Sequence, residues 1–373
     1  MNEWRKCPIG NVVTLRQGFA INAKSKHYMS DTPTRLPLLR IADMKSGKKE
    51  IFVKEDIPQR FIASNEDIIY TRTGNVGLVF RNKYGVVHNN CFTVTPQDER
   101  EISRDFLYYA LKDKNFYDKA NALARGAAQP DLPHSSFCSI EISFPSLSKQ
   151  HCIASTLSRY DSLIDNYQKQ IKLLEEAAQR LYKEWFVNLR FPGHENTKIV
   201  DGVPEGWEKK SITDILDIKY GKDHKSLKEG DIPVFGTGGI MRYVNKGLHS
   251  GETVLIPRKG SLNNIMLFNG TFWTIDTMFF TIPKEENVAK IAYHFLKRQD
   301  MYSYNIGAAV PSMTINILHS MKLLLPTMDI RQLFENSIGK FYCAIEKLFT
   351  QLRLLTESRD RLLPKLLSGE IEV

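Results

Sequence analysis

The stretch Gly126-Ala127-Ala128-Gln129-Pro130 occurs a second time, nearly unchanged, as Gly307-Ala308-Ala309-Val310-Pro311. The spacing that joins the two copies also places Pro145 on Pro326, so the register continues beyond the motif without a gap. A short match can arise by chance, whereas a match that keeps its register over a longer distance indicates an internal repeat. The chain is therefore expected to contain two copies of one structural unit.

Other paired landmarks follow one another in the same order in both halves. Each half opens with a tryptophan that precedes a glycine by the same number of residues. An apolar strand then runs into an Arg-x-Gly turn, and a second apolar strand ends in proline. These landmarks are Trp4 with Gly18, Arg72 and Cys91–Pro96 in the first half, and Trp207 with Gly221, Arg258 and Met278–Pro283 in the second. Their shared order predicts two modules with one fold.

Each module combines short β-rich runs with one amphipathic helix. In the first module such runs cover residues 76–80 and 86–95, and glycine, asparagine and proline separate them. The candidate helices cover residues 103–114 and 288–299. The expected fold class is α+β, with a mixed or antiparallel sheet in each of the two modules.

Two long segments, one after each module, carry apolar residues at alternating steps of four and three. This spacing is the a/d pattern of a coiled coil, whereas a helix that lies on a globule usually has a wider apolar face. The first seam comprises Ile153, Leu157, Tyr160, Ile164, Tyr167, Ile171, Leu174, Ala178, Leu181 and Trp185. The second comprises Phe334, Ile338, Phe341, Ile345, Leu348, Leu352, Leu355, Arg359, Leu362 and Leu366. We expect the two helices to pair as an antiparallel coiled coil, with Arg359 as the one interruption.

The seams and the repeats together divide the chain. The expected parts are a first module at residues 1–148, a long helix at 149–190, a linker at 191–206, a second module at 207–328 and a second long helix at 329–370. Proline is expected to kink or end the second helix at Pro364, and the Phe191-Pro192-Gly193 stretch to stop the first. At about 1.5 Å per residue each seam is roughly 48 Å long, so the helices would hold the modules at a fixed distance.

Composition favours a soluble chain with several cores and a polyanionic partner. The 373 residues exceed one ordinary core, and 51 lysine and arginine residues against 42 acidic ones give a net charge of +9. Such an excess favours nucleic acid, although a basic protein without that partner fits it as well. The five scattered cysteines lack zinc-ligand spacing and suit reduced thiols in a cytoplasm. Neither a signal peptide nor a membrane-spanning apolar run is present, so no membrane association is expected.

Sequence signatures of catalysis are missing. No Pro-Pro pair occurs, which excludes the Asp/Asn-Pro-Pro-Tyr/Phe loop of an amino-methyltransferase, and no G-x-x-x-x-G-K-[ST] phosphate loop is present. The glycine-rich turn at residues 236–239 lacks the spacing of a dinucleotide fingerprint. Asp131 has no carboxylate counterpart, since Ser312 stands there in the second copy. We expect no catalytic residues, no metal site and no cofactor in this chain.

Polar loops are the expected contact points with double-stranded DNA, because arginine and lysine bind phosphate or guanine and amide side chains bind adenine. The candidates in the first module are Lys24, Lys26, Arg72, Thr73, Asn75 and Gln129. Those in the second are Lys222, His224, Lys225, Arg258, Lys259, Ser261, Asn263 and Asn264. An ordinary hairpin with solvated tips would carry similar residues. The modules share glycine, proline and apolar positions but differ in these loops, so each is expected to read a different half-site.

Several stretches resemble the specificity subunits of type I restriction–modification systems. Val203-Pro204-Glu205-Gly206-Trp207-Glu208 opens the second module in the manner of that family, and residues 183–193 close the first long helix in the same way. The Arg72-Thr73-Gly74-Asn75-Val76-Gly77 turn and the two Gly-Ala-Ala-x-Pro stretches are similar as well. Each motif is weak alone, but their order and duplication from Trp4 to Gly369 are specific.

The resemblance implies two target-recognition domains that each read half of a bipartite asymmetric DNA site. It also implies that the helices dock two methyltransferase (modification) subunits, through which restriction subunits join, so that methylation and cleavage belong to those partners. Arg359 in the second seam departs from the pattern. Two other functions stay open. One is the specificity arm of a stand-alone methyltransferase, which neighbouring genes would reveal. The other is a coiled-coil interaction scaffold that reads no DNA, which would lack salt-dependent duplex binding.

Overall fold

The computed structural model describes residues 4–307 and 309–372. Ala308, part of the second Gly-Ala-Ala stretch, and the first three residues of the predicted first module lie outside the described residues. The chain forms two compact units. Unit 1 comprises Met1–Gln168 and Thr350–Val373, and unit 2 comprises Lys169–Phe349.

Unit 1 contains a four-stranded antiparallel sheet, a five-stranded mixed sheet and a two-stranded pair. Its strands are β1 (Arg5–Pro8), β2 (Val13–Gln17), β3 (Met29–Ser30), β4 (Leu36–Leu39), β5 (Phe52–Val53), β6 (Ile62–Ala63), β7 (Ile68–Thr71), β8 (Val79–Phe80), β9 (Gly85–Val87), β10 (Cys91–Pro96) and β11 (Glu141–Phe144). Its helices are α1 (Ile41–Ser46), α2 (Arg104–Lys112), α3 (Lys114–Leu123), α4 (His134–Cys138) and the first part of α5 (Leu147–Phe186). The sheet orders are β2-β10-β7-β8, β3-β5-β4-β9-β6 and β1-β11, and β4 runs parallel to β9.

Unit 2 is built around one six-stranded mixed sheet with two smaller pairs beside it. Its strands are β12 (Ile199–Val200), β13 (Val203–Pro204), β14 (Glu208–Ser211), β15 (Leu216–Tyr220), β16 (Ile232–Gly236), β17 (Gly239–Val244), β18 (His249–Pro257), β19 (Met266–Thr274), β20 (Met278–Pro283) and β21 (Lys322–Leu325). Its helices are α6 (Ile212–Ile215), α7 (Ala289–Lys297), α8 (Ile315–Ser320) and the first part of α9 (Met328–Ser368), besides the last part of α5. The main sheet has the order β15-β20-β18-β19-β16-β17, in which β16 runs parallel to β19.

Both units repeat the same central arrangement of strands. In unit 1, β10 lies between β2 and β7, and in unit 2, β20 lies between β15 and β18, with antiparallel pairing in every case. The small pairs correspond as well, since β1 pairs with β11 and β14 pairs with β21. The prediction of two α+β modules with mixed sheets is confirmed, and the duplication extends to the order of the strands.

The predicted amphipathic helices correspond to α2 and α7. α2 begins after Ser103, whose side chain accepts a hydrogen bond from the backbone N–H of Phe106 and caps the helix. At Asp113 the backbone leaves the helical region, with ψ of 136°, and α3 follows at once. The first module therefore has a second helix here that the sequence analysis did not predict.

In unit 1 the first part of α5 packs against the last part of α9. Ile153 and Leu157 of α5 share a buried cluster with Leu363 and Leu366 of α9. Pro364 was expected to kink or end the second helix. It lies inside α9, which continues to Ser368, so the helix does not end at this proline. Packing of the leucines on both sides of the proline offsets the backbone hydrogen bond that proline lacks.

Arg359, the interruption in the predicted seam, has a partner on the facing helix. Its Nη1 donates to Asp161 Oδ1 at 2.9 Å. The other oxygen of this carboxylate accepts a hydrogen bond from the Tyr109 hydroxyl at 2.8 Å. A charged residue therefore fits the seam because a carboxylate from α5 and a hydroxyl from α2 complete its surroundings.

In unit 2 the last part of α5 packs against the first part of α9. The ring of Phe334 lies 4.6 Å from that of Phe186 and 5.6 Å from that of Trp185, centroid to centroid. Ile338 belongs to the same buried cluster. The contacts inside each unit are those that an antiparallel pair would make, and a continuous coiled coil along both helices stays a prediction.

The predicted seam residues are all withdrawn from solvent, at least in part. Those that are buried are Ile153, Leu157, Ile164, Ile171, Ala178, Trp185, Phe334, Ile338, Ile345 and Leu366. Those that are half-buried are Tyr160, Tyr167, Leu174, Leu181, Phe341, Leu348, Leu352, Leu355, Arg359 and Leu362. α5 ends at Phe186, ahead of the Phe191-Pro192-Gly193 stretch that was expected to stop it.

Asp161→Ala is expected to lower the free energy of unfolding by about 1–3 kcal/mol, because it removes hydrogen bonds that involve charged groups. The Arg359 side chain, only 18% exposed, would lose its partner on the facing helix. Chemical denaturation of the full chain measures the change. Asp165→Ala, at an exposed position one turn further along α5, is the matched control and should stay within about 0.5 kcal/mol. Equal losses in the two variants would count against this role of Asp161.

Candidate DNA interface

β7 brings the Arg72 turn of unit 1 out of the core. All four residues of this strand are buried, and the chain becomes accessible from Arg72 onward. Three backbone hydrogen bonds hold the turn: Arg72 N to Asn90 O at 2.8 Å, Gly74 N to Pro130 O at 2.8 Å, and Leu132 N to Arg72 O at 2.9 Å. The turn is thus fixed to two segments that are distant in sequence.

The Arg258 turn of unit 2, which follows β18, is held by the same three bonds. They run from Arg258 N to Thr277 O at 2.9 Å, from Gly260 N to Pro311 O at 2.9 Å, and from Met313 N to Arg258 O at 2.9 Å. Gly74 and Gly260 have positive φ angles of +83° and +81°, which L side chains rarely adopt. A frame of backbone atoms therefore positions both turns in the same way.

The loops that begin at Gly18 and Gly221 lie against the same frame. Gly18 N donates to Cys91 O at 3.2 Å, and Gly221 N donates to Met278 O at 3.0 Å. A Cβ on Gly18 would stand 2.3 Å from the carbonyl oxygen of His88, so only glycine permits this approach. The equivalent distance for Gly221 is 2.0 Å, to the carbonyl oxygen of Ile275.

We call each of these assemblies of loop, turn and neighbouring segments a junction. The first junction comprises residues 17–19, 72–75, 87–91 and 130–132 of unit 1. The second comprises residues 220–222, 258–261, 274–278 and 311–313 of unit 2. Each junction thus brings together a loop and a turn that the sequence analysis had singled out separately.

In the first junction Arg72 forms a bidentate ion pair with Asp131. Its Nε and Nη2 lie 3.1 Å and 2.6 Å from the two carboxylate oxygens, and Nη1 donates to Gln17 Oε1 at 3.3 Å. The Thr73 hydroxyl donates to the same carboxylate at 2.6 Å. The Arg72 hydrogen bonds hold the pKa of Asp131 below its ordinary value. This carboxylate therefore stays ionised at neutral pH and fixes the side chains of the turn.

The roles of Asp131 and Gln17 were not predicted from the sequence. Asp131 had been noted only as a carboxylate without a counterpart in the second copy. Its place directly after Pro130, in the stretch that repeats best, was a signal that it belongs to the frame. The predicted contact of Arg72 and Thr73 with DNA stays a prediction, although the structure shows both side chains engaged with Asp131.

In the second junction Arg258 has different partners. Its Nη1 donates to the backbone carbonyl of Asp276 at 2.9 Å, and its guanidinium lies 5.3 Å from the centre of the Tyr220 ring. Ser312 occupies the position of Asp131, and its backbone pairs with that of Lys259. Hence the two turn arginines have similar backbone positions but unlike side-chain surroundings.

The amide side chains predicted to contact bases in unit 2 hold neighbouring loops. Asn263 Oδ1 accepts a hydrogen bond from Met301 N at 2.8 Å, and its Nδ2 donates to Asp300 Oδ1 at 3.3 Å. Asn264 Nδ2 donates to Thr237 O at 2.8 Å, which ties the β16–β17 turn to the loop that follows the Arg258 turn. Base contacts of these two residues stay a prediction, and their structural bonds are a finding that spacing did not reveal.

The other predicted contact residues lie mostly at the surface. Those that are exposed are Lys24, Lys26, Asn75, Gln129, Lys222, Lys225, Lys259 and Ser261, whereas His224 is half-buried. Lys24 belongs to a tight turn in which Asn22 Oδ1 accepts a hydrogen bond from the Lys24 backbone N–H at 3.0 Å. Exposed ammonium, amide and hydroxyl groups beside a rigid frame can reach phosphates or base edges.

Two other kinds of feature, a metal-ion cluster and a membrane-spanning helix, are absent from the described ranges. Among residues 4–307 and 309–372, no group of three or more histidine, cysteine, aspartate or glutamate side chains could hold a metal ion. In the same ranges no helix has the length and apolar character needed to cross a membrane. The junctions offer a ligand mainly guanidinium, ammonium, amide and hydroxyl groups, beside the carboxylates of Asp131 and Asp276 and the imidazole of His88.

Comparisons with known proteins point to one family. The sequence matches the model of the type I restriction modification DNA specificity domain at residues 1–176 and again at residues 204–349. It is 26% identical to the MjaIX specificity subunit of Methanocaldococcus jannaschii, over 100% of this chain and 94% of that relative. It is 22% identical to the HindI specificity subunit of Haemophilus influenzae, over 100% of both chains.

A solved structure shares the fold. The crystal structure of a type I restriction–modification S subunit from Mycoplasma genitalium superposes with a TM-score of 0.61 and 21% sequence identity, over 98% of this chain and 96% of that one. The two matched segments of the family model span most of the sequence, and each contains one junction. This chain therefore belongs to the type I restriction–modification DNA specificity family, with two of its target-recognition domains in tandem.

Proposed function

We propose that each of the two domains reads one half of a bipartite, asymmetric site in double-stranded DNA, as part of a type I restriction–modification complex. The observation that carries this proposal is the pair of junctions, in which one backbone frame occurs twice with different side chains at equivalent positions. The shared backbone frame would place the two turns on DNA in the same way. Their different side chains would then favour different bases. The net charge of +9 supports a polyanionic partner.

The long helices act as spacers in this proposal. In this proposal the domains are residues 1–148 and 207–328, and the spacers are α5 (Leu147–Phe186) and α9 (Met328–Ser368), which were expected at residues 149–190 and 329–370. The link between the two halves, expected at residues 191–206, begins after α5 at residue 187. α5 and α9 also expose large apolar side chains, with Leu173 at 59% and Phe349 at 51% exposure. Since exposed apolar surface favours a protein partner, we assign these helices to the docking of two methyltransferase subunits, through which restriction subunits join.

Methyl transfer and cleavage belong to those partners in this proposal. The chain itself supplies no catalytic group, metal or cofactor, and its part is to select the site. The complex would act on genomic DNA in the cytoplasm, where the free thiols of Cys7, Cys91, Cys138, Cys152 and Cys343 stay reduced.

Genome-wide mapping of methylated sites, with and without the gene for this chain, tests the proposal. We expect one bipartite methylation pattern to disappear when the gene is removed and to return when it is restored. The purified chain alone should transfer no methyl group from S-adenosylmethionine to duplex DNA. Turnover by the purified chain would contradict its non-catalytic role, and an unchanged methylation map would contradict the proposed function itself.

A further inference from the structure

Asp131 and Ser312 stand at equivalent positions beside the two turn arginines. Each follows the proline whose carbonyl accepts the hydrogen bond from the turn glycine, at 2.8 Å in unit 1 and 2.9 Å in unit 2. The carbonyl oxygens of Asp131 and Ser312 also accept equivalent bonds, from Arg125 N at 2.8 Å and from Ile306 N at 3.1 Å. These backbone bonds are shared, although Asp131 N donates to the Arg125 carbonyl at 2.8 Å and Ser312 N to Asn305 Oδ1 at 2.8 Å. The main difference between the two positions is therefore the charge of the side chain.

Asp131 and Gln17 together engage all three guanidinium nitrogens of Arg72. Nε and Nη2 donate to the carboxylate of Asp131, and Nη1 donates to Gln17, so all three nitrogens have an acceptor inside unit 1. The Arg72 side chain is 21% exposed, and the ion pair cancels its charge locally. A DNA contact through Nε, or through the Nη2 hydrogen that Asp131 accepts, would have to break a bidentate pair with a carboxylate, one of the strongest hydrogen-bonded arrangements in proteins. The N–H groups that remain on Nη1 and Nη2 belong to a guanidinium whose charge is already paired.

Ser312 has no carboxylate that could form an ion pair with Arg258. Within the described ranges Arg258 forms no ion pair with a carboxylate, and its partners are the Asp276 carbonyl and the face of the Tyr220 ring. A guanidinium that lies over an aromatic ring keeps its edge available for further hydrogen bonds. The second junction therefore carries one positive charge that the first junction has neutralised.

We infer that the residue at position 131 or 312 decides whether the turn arginine is available to DNA. Asp131 holds Arg72 as a positioning residue that fixes Thr73 and the turn, whereas Ser312 leaves Arg258 to donate to an acceptor on DNA, either a guanine edge or a phosphate oxygen. This inference rests on the proposed function and adds to it that the two domains use their equivalent arginines differently.

The test uses the complex purified from its host through a tag on this chain, and duplexes that carry the mapped methylation site. One duplex has the intact site, and two others have one half-site or the other scrambled. The first variant is Ser312→Asp, whose carboxylate should form an ion pair with Arg258. Its control is Ser312→Asn, which introduces a side chain of nearly the same size as aspartate but without the charge. Arg258→Ala, Arg72→Ala and Asp131→Asn complete the set. Thermal melting of each complex separates unfolding from loss of binding.

Ser312→Asp and Arg258→Ala should each weaken binding to the intact duplex about tenfold or more and lower the slope of log affinity against log salt by about one. The affinity of the Ser312→Asn complex for the intact duplex should stay within about twofold of the parental affinity, because this change leaves the charge of the junction unaltered. Weakening only on the intact duplex and on the duplex that keeps the half-site of the second domain would identify a base contact, and equal weakening on all three duplexes a phosphate contact.

The variants of the first junction should respond differently. Arg72→Ala should change the preference within one half-site while leaving the salt slope near its parental value, and Asp131→Asn should raise the slope, because it releases Arg72. The inference is overturned if Ser312→Asp behaves like Ser312→Asn, or if Arg72→Ala lowers the salt slope as much as Arg258→Ala. Failure of the proposed function would look different, since the parental complex would then bind intact and scrambled duplexes equally.

Discussion

A spacer shortened by about three base pairs is the expected result of removing one heptad from each long helix. One heptad of α-helix is about 10 Å long, which matches about three base pairs at about 3.4 Å per pair. Because Asp161 faces Arg359 and antiparallel helices advance in opposite directions, residues 168–174 of α5 would be removed together with residues 346–352 of α9. The half-sites should stay the same, since every junction residue is kept. Methylation mapping with the shortened subunit, assembled with its methyltransferase partner, measures the spacer.

Removal of a heptad from α5 alone is the matched control. It should destabilise the protein, because unmatched seam layers expose apolar surface. In the doubly shortened subunit, one domain should also turn about the duplex by on the order of 100° relative to the other. An unchanged spacer would mean that partner subunits or flexible linkers, and not the helices, position the domains.

Lys290→Met is expected to lower the free energy of unfolding by about 3 kcal/mol, because it leaves two carboxylates unpaired in a largely buried place. Lys290 forms ion pairs with Glu252 of β18 and Glu335 of α9, and its side chain is 10% exposed. Burial opposes the charged form of Lys290, yet the two carboxylates hold its pKa above the ordinary value. Denaturation of the full chain measures the loss, and hydrogen exchange should locate it at the contact between β18 and α9.

Two further variants sharpen this test. Lys322→Met, at an exposed position on β21, is the matched control and should stay within about 0.5 kcal/mol of the parent. Lys290→Met combined with Glu252→Gln and Glu335→Gln should recover part of the loss, because no buried charge is then left without a partner. A loss in Lys290→Met no larger than that of the control would show that this cluster does not fasten the sheet to the helix.

Repetition and periodicity predicted the main features of the fold. Landmarks that repeat in order require equivalent strands, and the arrangement of β2, β10 and β7 recurs as β15, β20 and β18. An a/d seam indicates a long helix because one face must remain apolar along its length. Local rules were weaker, since Pro364 did not end α9 and α3 was not predicted. Packing by neighbouring residues outweighed local preference at Pro364.

Less of the candidate site could be predicted. Glycine and arginine marked the turns, because a turn with positive φ needs glycine and an exposed arginine suggests an anionic ligand. The partners of Arg72 could not be found in this way, because Asp131 and Gln17 lie 59 and 55 residues away along the chain. Only the pairing of strands brings such distant side chains together. Residue spacing therefore does not predict which of them are in contact.

The turns are held by amide and carbonyl groups of the main chain, which every residue except proline can supply in full. The course of the chain at Asn75, Gln129, Lys259 or Ser261 therefore depends little on which side chain stands there, and all four are exposed. A combinatorial library that varied these four positions, with the turn glycines and prolines kept, would sample new binding preferences on one unchanged scaffold. Natural point mutations can vary the same four positions. A change of the DNA sequence that this protein prefers should therefore lower its folding stability only slightly.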